Sequence, residues 1–156
     1  VEGLVEEVVG GLEGGTALDL YAGVGLFSLP LAQKFGKVVA VESSASAVHD
    51  LQYNAAEVGV EVEAQRMQAE QYVGGLGEAP DVVVADPPRS GLGRNVTKHL
   101  ARLRAPRLVL VSCDPATLAR DLGALLGAGY GLKRMTVVDL FPQTFHVEVV
   151  AELGLG

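Results

Sequence analysis

Short apolar runs alternate with helical patterns along the whole chain. Runs rich in β-branched residues predict strands near 16–21, 37–42, 60–65, 81–86 and 107–112. Amphipathic spacing predicts helices near 2–12, 27–34, 44–57, 94–104 and 116–128. Such alternation is typical of a mainly parallel sheet that is covered by helices on both faces.

The last two strand patterns, 130–139 and 146–153, have no helical pattern between them. A direct connection of this kind predicts a terminal antiparallel hairpin. Five strands joined through helices, followed by a hairpin, resemble the seven-stranded, Rossmann-like α/β sheet of S-adenosylmethionine-dependent methyltransferases more than a plain dinucleotide-binding fold. We expect a single domain over 1–156, because no repeat or linker interrupts the pattern.

Composition narrows the class of protein. The 156 residues are 49% hydrophobic, which suits one domain with a substantial core. No apolar stretch approaches the roughly 20 residues of a membrane span and no basic leader opens the chain, so we expect a soluble, cytoplasmic protein. A single cysteine excludes an internal disulfide or a four-cysteine metal site, and three scattered histidines do not replace one, so no metal is expected.

The charge is unevenly distributed. The net charge of -7 is a weak argument against binding through phosphates. However, six of the twelve Lys and Arg residues lie between Arg89 and Arg107, in a segment without an acidic residue. This segment is either a local anion-facing patch or a solvated helix face, and the sequence leaves both interpretations open.

A glycine-containing turn follows the first predicted strand, in Asp19-Leu-Tyr-Ala-Gly-Val-Gly25. Gly23 and Gly25 allow the backbone to turn sharply and to approach a ligand closely. Ser28 stands where a dinucleotide motif has its third glycine, which is an argument against a pyrophosphate ligand. Glu42 ends the second predicted strand about twenty residues later, where a carboxylate can accept hydrogen bonds from ribose hydroxyls.

Two further strands end in reactive residues. The strand 81–86 runs into Pro87-Pro88, which stops the strand and holds Asp86 at its tip. The strand 107–112 delivers Cys113, the only cysteine, to the edge of an open α/β sheet where ligands bind. By itself Cys113 favours an inert buried thiol over a nucleophile, because most buried cysteines are structural.

Four segments together resemble the RNA uracil-5-methyltransferases, the family that forms 5-methyluridine in tRNA and in large-subunit rRNA. The matching segments are Asp19-Leu-Tyr-Ala-Gly-Val-Gly-Leu-Phe-Ser28, Asp86-Pro-Pro-Arg-Ser-Gly-Leu92, Ser112-Cys-Asp-Pro-Ala-Thr-Leu-Ala-Arg-Asp-Leu122 and Asp139-Leu-Phe-Pro-Gln-Thr-Phe-His-Val-Glu148. The resemblance covers nearly the whole chain. The segments around Cys113 and before Glu148 are more specific to the family than the glycine turn.

The resemblance implies the catalytic roles. Cys113 is implied to be the nucleophile that adds to carbon 6 of uracil, which makes carbon 5 nucleophilic. Glu148 is implied to be the general base that removes the proton from carbon 5 after methyl transfer. Asp86 is implied to lie beside both the cofactor and the target base. The helix predicted after Cys113 would favour a negative charge at that position through its amino-terminal field.

The resemblance also implies S-adenosyl-L-methionine as the cofactor and rRNA or tRNA as the partner. The implied cofactor-binding residues are Tyr21, Gly23, Gly25, Leu26, Glu42, Gln68 and Asp86. Several relatives carry Asn at the position of Leu26, so only a backbone contact is expected there. RNA-binding amino-terminal regions of the full-length family members are expected to be absent from this chain.

Other functions remain open at this stage. An amino-group methyltransferase acting on adenine or guanine would share the fold and the Asp-Pro-Pro tip but would not need Cys113 or Glu148. A cytosine-5 RNA methyltransferase typically uses a second cysteine, which this sequence lacks. A non-catalytic S-adenosylmethionine-binding module would need only the glycine turn and Glu42.

Overall fold

The computed structural model describes residues 2–140 and 147–156. Its strands are β1 Gly14–Leu20, β2 Phe35–Glu42, β3 Glu63–Arg66, β4 Val82–Ala85, β5 Arg107–Ser112, β6 Tyr130–Asp139 and β7 Val147–Leu155. Its helices are α1 Glu2–Val9, α2 Ser28–Ala32, α3 Ala45–Val58, α4 Ala69–Gly75, α5 Gly93–Leu103 and α6 Pro115–Gly127. None of these helices has both the length and the apolar composition that a membrane span needs.

The seven strands form one sheet in the order β3-β2-β1-β4-β5-β7-β6. β1 to β5 pair in parallel, whereas β7 pairs antiparallel with both β5 and β6. The predicted methyltransferase-like sheet with a terminal antiparallel hairpin is therefore confirmed. The hairpin does not simply extend the sheet, because its second strand inserts between β5 and its first strand.

The central strands are buried on both faces, which explains their continuous apolar sequence. In β4, Val82 and Val84 join the core beneath α1 and α2. Val83 and Ala85 point the other way and join the core beneath α4, α5 and α6. Alternation of polar and apolar residues is therefore absent where the sheet is covered twice.

Local sequence signals mark the ends of α3 and the start of α6. Ser44 caps α3 through its Oγ, which accepts a hydrogen bond from the Ala47 amide at 3.3 Å. Gly59 closes the same helix in the left-handed conformation, at φ 74°. Asp114 caps α6, where Pro115 occupies the first turn.

The sequence analysis was wrong about several boundaries and missed one helix. α4 went unpredicted because only Ala69 and Val73 are buried in it, so its apolar stripe is too short to give a helical period. The third strand was expected at 60–65, but β3 is a charged edge strand that begins at Glu63. α1 ends at Val9, ahead of Gly10-Gly11, rather than continuing to residue 12.

The remaining strand and helix boundaries agree with the predictions to within about two residues. β5 and β6 have the predicted bounds. β7 continues two residues past its predicted end, to Leu155. His146, the predicted start of that strand, and the connecting segment 141–145 lie outside the described residues.

Candidate active site

The residues predicted to bind and react converge on the carboxyl edge of the sheet. Glu42 is the last residue of β2, Tyr21 follows β1, Asp86 follows β4 and Cys113 follows β5. These four strands are neighbours and run in parallel, so their carboxyl ends meet at one edge. β7 runs in the opposite direction and therefore begins at this edge, with Glu148 as its second residue.

The antiparallel register places Glu148 next to Cys113. Ser112 of β5 pairs with Val149 of β7, so Cys113 and Glu148 are the next residue along each strand towards the carboxyl edge. Cys113 is exposed, which removes the interpretation of this thiol as an inert core residue. The hairpin insertion thus brings together two residues that lie 35 positions apart in the sequence.

Glu148 is half-buried, and its Oε2 is fully covered without a hydrogen-bond partner among the described residues. Burial raises the pKa of its carboxyl above the ordinary value. An unpartnered carboxylate oxygen at a reactive edge is a group available to accept a proton.

Asp86 lies close enough to Glu148 to respond to its charge. Burial, and after it the negative charge of Glu148, raises the pKa of Asp86 to about 6. Its side chain accepts no hydrogen bond from the residues that the structure describes. Two carboxyl groups that oppose each other's ionisation therefore share the space beside Cys113.

The glycine turn adopts the backbone conformations that its residues predict. Gly23 and Gly25 have φ values of 58° and 102°, and Tyr21 has φ 59°, which is uncommon for a residue with a side chain. A Cβ at Gly25 would lie 3.3 Å from Leu51, whereas the space around Gly23 is open. The turn therefore packs on one side and leaves room for a ligand on the other.

Glu42 is held by the backbone on both of its oxygens. Its Oε1 accepts a hydrogen bond from the Gly23 amide at 3.0 Å, and its Oε2 accepts one from the Ser44 amide at 2.8 Å. Each carboxylate oxygen keeps a further lone pair. This arrangement fits the predicted pair of hydrogen bonds from ribose hydroxyls.

Asp19 is a site residue to which the sequence analysis gave no role. It is completely buried in β1, accepts a hydrogen bond from the Ser28 Oγ at 2.5 Å on Oδ2, and has no partner for Oδ1 among the described residues. Burial is the main reason that its pKa rises to about 7; the Ser28 hydrogen bond opposes this rise, and the charges of Asp86 and Glu42 add to it. Its one available signal was a lone acidic residue within the apolar run of β1.

The other predicted cofactor residues lie at the same edge, but their side chains are more exposed or form no hydrogen bond that fixes them. Gln68 is the exposed residue before α4, and its side chain does not cap that helix. Leu26 is 40% exposed in the turn region after β1. Tyr21 is half-buried, and burial, together with the charges of Asp121 and Glu70, raises its pKa to about 12, so its hydroxyl remains a donor.

Three side chains of α6 hold the segment 87–92, which we call the proline loop. Thr117 Oγ1 donates a hydrogen bond to the Arg89 carbonyl at 2.9 Å, and Arg120 Nη2 donates one to the Ser90 carbonyl at 2.6 Å. Buried Asp121 accepts one from the Leu92 amide at 2.8 Å. The helix that follows Cys113 thus fixes the loop that follows Asp86.

The sequence analysis assigned no role to these three α6 residues. The available signal was Asp121, an acidic residue at helical spacing among the buried Leu118, Leu122 and Leu125. Asp114 also changes one expectation, because its carboxylate accepts the amides of Ala116 and Thr117 at the start of α6. The amino terminus of α6 was expected to favour a negative charge on Cys113. Its Ala116 and Thr117 amides instead donate their hydrogen bonds to the Asp114 carboxylate.

This sheet order, with a glycine turn after β1 and an acidic residue at the end of β2, defines the S-adenosylmethionine-dependent methyltransferase fold class. Comparison with protein families places the chain within that class. Residues 4–80 and 78–153 match the family described as tRNA (Uracil-5-)-methyltransferase. The chain belongs to this family, as the four sequence segments indicated.

Similar proteins agree with this assignment. The chain is 45% identical over 157 aligned positions to an uncharacterized RNA methyltransferase of Streptomyces coelicolor, covering 96% of this chain and 34% of that protein. It is 48% identical over 144 positions to the 23S rRNA (uracil(1939)-C(5))-methyltransferase RlmD of Pseudomonas putida, covering 89% and 31% respectively. The chain therefore spans about a third of the length of these relatives.

Solved structures are also similar over almost the whole chain, and one of them shares more than 30% identity with it. It is the Pyrococcus abyssi tRNA (uracil-54, C5)-methyltransferase in complex with S-adenosyl-L-homocysteine, with a TM-score of 0.86 and 34% identity. The match covers 97% of this chain and 37% of the archaeal protein. The shared region contains the fold and the carboxyl edge described above.

Proposed function

We propose that this chain is the catalytic domain of an enzyme that transfers a methyl group from S-adenosyl-L-methionine to carbon 5 of a uridine in rRNA or tRNA. The observation that carries the proposal is the exposed Cys113 beside Glu148, whose buried oxygen has no partner in the described structure. Relatives named for uracil-C5 methylation of 23S rRNA and of tRNA support the same chemistry.

The residues at the glycine turn fit a nucleoside that carries a charged amino-acid tail. Glu42 is oriented by two backbone amides to accept ribose hydroxyls, and the open space at Gly23 allows the ligand to approach the backbone. The unpartnered Oδ1 of Asp19 can accept a hydrogen bond from a donor on the ligand. When bound here, S-adenosyl-L-methionine supplies an electrophilic methyl group.

Cys113 makes the uracil ring reactive. Its thiolate forms a bond to carbon 6, and the ring electrons move into an enolate whose carbon 5 is nucleophilic. Carbon 5 would then take the methyl group as its bond to the cofactor sulfur breaks, which leaves S-adenosyl-L-homocysteine. The product retains the proton on carbon 5 and the sulfur on carbon 6, so two further bonds must break before the base is released.

Glu148 completes the cycle. Its carboxylate removes the proton from carbon 5, the electron pair re-forms the double bond between carbons 5 and 6, and the Cys113 thiolate leaves. Because the negative charges of Asp86 and Glu148 oppose each other, a proton held by Asp86 favours the ionised form of Glu148, which acts as the base. A protonated Asp86 can also donate a hydrogen bond to the uracil ring.

Covalent trapping with 5-fluorouridine RNA tests the proposed function. Fluorine on carbon 5 cannot be removed as a proton, so incubation with S-adenosyl-L-methionine should produce a protein–RNA adduct that survives denaturing electrophoresis. Cys113→Ala should abolish the adduct and reduce methylation of uridine RNA to background, with an unchanged melting temperature because the thiol is exposed.

The same experiment separates the alternatives. An amino-group methyltransferase would label RNA with methyl groups but form no adduct, and a binding module would do neither. If Cys113→Ala still methylates uridine, the proposed mechanism is wrong. If this variant instead melts at a much lower temperature and keeps its activity, the thiol has a structural role.

A further inference from the structure

Helix α5 carries a row of exposed positive charges that the proposed reaction does not use. Arg94, Lys98 and Arg102 are spaced four residues apart, so they lie along one side of the helix. All three are exposed, whereas Val96, Leu100 and Leu103 are buried on the opposite side. We call these three residues the α5 basic row.

The charges of this row are not neutralised within the described structure. Arg94 and Lys98 form no ion pair or side-chain hydrogen bond with a described residue, and Arg102 donates only to the Val73 carbonyl, at 2.9 Å. In contrast, Arg107, Arg120 and Arg134 each form an ion pair with a carboxylate. Like charges four residues apart disfavour a helix. Folding therefore accounts for Arg102, through its hydrogen bond to Val73, but not for Arg94 and Lys98.

The sequence around the row is free of acidic residues, and in space the carboxylates that contact α5 are those of Asp121, on the Gly93 amide, and Glu70. All 19 acidic residues of the chain lie outside the segment 87–113. Glu70 of α4 approaches α5, but its carboxylate accepts a hydrogen bond from the Asn95 side chain at 2.8 Å. A protein with a net charge of -7 thus carries a helix whose charged side chains are all positive.

The row begins at the candidate active site. α5 starts at Gly93, directly after the proline loop, which Thr117 and Asp121 fix to the helix that follows Cys113. Four residues of helix rise about 6 Å, so the charges of Arg94 and Lys98 succeed one another along a line leading away from the carboxyl edge. A polyanion whose reacting nucleotide lies at Cys113 could follow this line.

We propose that the α5 basic row binds backbone phosphates of the substrate RNA next to the target uridine. This inference rests on the proposed function, since the row is argued to guide the strand that reaches Cys113. Cationic side chains contact phosphates without reading sequence, and each such contact releases counterions. The row thus contributes affinity and strand direction, while the choice of uridine is made elsewhere.

The salt dependence of binding to fluorescein-labelled oligouridylate tests the row. The slope of log affinity against log salt is negative, and Arg94→Gln/Lys98→Gln should make it shallower by about 1.4, because each phosphate contact with a single strand contributes about -0.7. Lys98→Gln alone should make the slope shallower by half of that amount. Arg102 is left unchanged because its hydrogen bond to Val73 supports the packing of α4.

Two controls accompany these variants. Lys37→Gln removes an exposed ammonium near the start of β2, at the amino edge of the sheet, where it pairs with Glu63 at 4.0 Å, and should leave the slope unchanged. The swap Arg94→Lys/Lys98→Arg keeps both charges and should retain the wild-type slope. An unchanged slope in the double Gln variant, an equal loss in Lys37→Gln, or no binding of oligouridylate would overturn the proposal.

The outcome is distinguishable from failure of the proposed function. Binding of S-adenosyl-L-methionine in calorimetry and covalent trapping of 5-fluorouridine RNA report on the reaction, whereas the salt slope needs no chemistry. If the wild type forms the covalent adduct with 5-fluorouridine RNA but the double Gln variant has an unchanged salt slope, only the phosphate-binding role of the α5 basic row is rejected. A reduced slope without any trap supports phosphate binding and rejects the uracil mechanism.

Discussion

An aspartate flanks strand β4 at each end, and the two differ in exposure, in hydrogen bonding and in the direction of their pKa shift. Asp81 precedes the strand at the amino edge of the sheet, is exposed, and accepts hydrogen bonds from the amides of Gly15 and Thr16 at 2.8 and 2.9 Å. Those hydrogen bonds lower its pKa. Asp86 follows the strand at the carboxyl edge, is half-buried, and its pKa is raised to about 6.

The contrast extends to the rest of the two edges. At the amino edge, Asp81 is used to tie β4 to the start of β1. At the carboxyl edge, Asp19 and Glu148 have buried oxygens without partners in the described structure. Unpartnered buried carboxylates destabilise a fold, so their concentration at one edge indicates groups reserved for a ligand or a reaction.

Among tests of the difference between the two edges, Glu148→Gln is expected to have the largest effect, which is on turnover. The amide cannot take the proton from carbon 5, so turnover should fall by about 10²–10⁴-fold. A methylated covalent adduct should then accumulate on natural uridine RNA. Denaturing electrophoresis with labelled RNA measures the adduct, and mass spectrometry shows whether it carries the methyl group.

Glu152→Gln is the matched control on the same strand. Glu152 forms ion pairs with Arg107 and Arg134, so this variant should melt at a lower temperature but accumulate no adduct. Loss of turnover in Glu148→Gln without a detectable adduct would show that Glu148 has a structural role rather than that of the base.

A second prediction compares Asp19→Asn with Asp81→Asn. The pKa of Asp19 rises from 3.8 to about 7 on folding, so the folded state retains a proton that the unfolded state releases between about pH 4 and pH 7. Stability should therefore fall as the pH rises through this window. Asn at position 19 cannot ionise, so Asp19→Asn avoids the free-energy cost of a charged carboxylate in the core. Above pH 7 the variant should be more stable than wild type by up to about 4 kcal/mol. It should also bind S-adenosyl-L-methionine more weakly.

Asp81→Asn should have the opposite effect on stability at neutral pH: it should destabilise the protein. The folded-state pKa of Asp81 is depressed, so its contribution is present above the unfolded value of 3.8 and is lost as the pH falls through the folded pKa. This variant should melt at a lower temperature than wild type at neutral pH, with a difference that shrinks in acid. Melting curves across pH measure both variants, and a pH-independent effect of Asp19→Asn would contradict its assigned ionisation.

The smallest expected effect concerns the proline loop at the carboxyl edge. Gly91 and Gly93 have φ values of 78° and 83°, so replacement of either by Ala should cost about 1–2 kcal/mol of backbone strain. A Cβ at Gly91 would lie 2.5 Å from Asp121 Oδ2, whereas one at Gly93 would meet no atom within 4 Å. Gly91→Ala should therefore be the less stable variant, by about 1 kcal/mol or more.

Activity of the same two variants tests whether the loop positions Asp86. Gly91→Ala should also reduce the yield of the 5-fluorouridine adduct, because it displaces the loop from α6, while Gly93→Ala should keep the yield. Equal melting temperatures and equal yields for the two variants would show that the contact with Asp121 is unimportant.

Much of the site was predictable because it consists of residues at strand ends. Local sequence predicts Asp86 before Pro87-Pro88, Cys113 after β5 and Glu42 at the end of β2, since the carboxyl ends of parallel strands meet at one edge. The apolar runs also predicted the central strands, because burial on both faces requires them to be apolar throughout.

Other features depend on contacts between distant segments. The place of β7 between β5 and β6 sets Glu148 beside Cys113, and strand order is not encoded in the local pattern of either strand. Asp121 fixes the proline loop through a hydrogen bond from the Leu92 amide, and these two residues are 29 positions apart. The helical spacing of Asp121 marks the residue as unusual, but no pattern in the sequence indicates which distant residue either group contacts.

The sequence alone determined the fold class and the edge at which the reactive groups gather, because hydrophobic period and strand-ending residues are local properties of the chain. Only the tertiary structure decided which carboxylates are satisfied and which are not. Asp19, Asp81 and Asp86 are the same side chain in one sheet, and their pKa values diverge because burial, backbone donors and neighbouring charges are set by the elements packed around each of them.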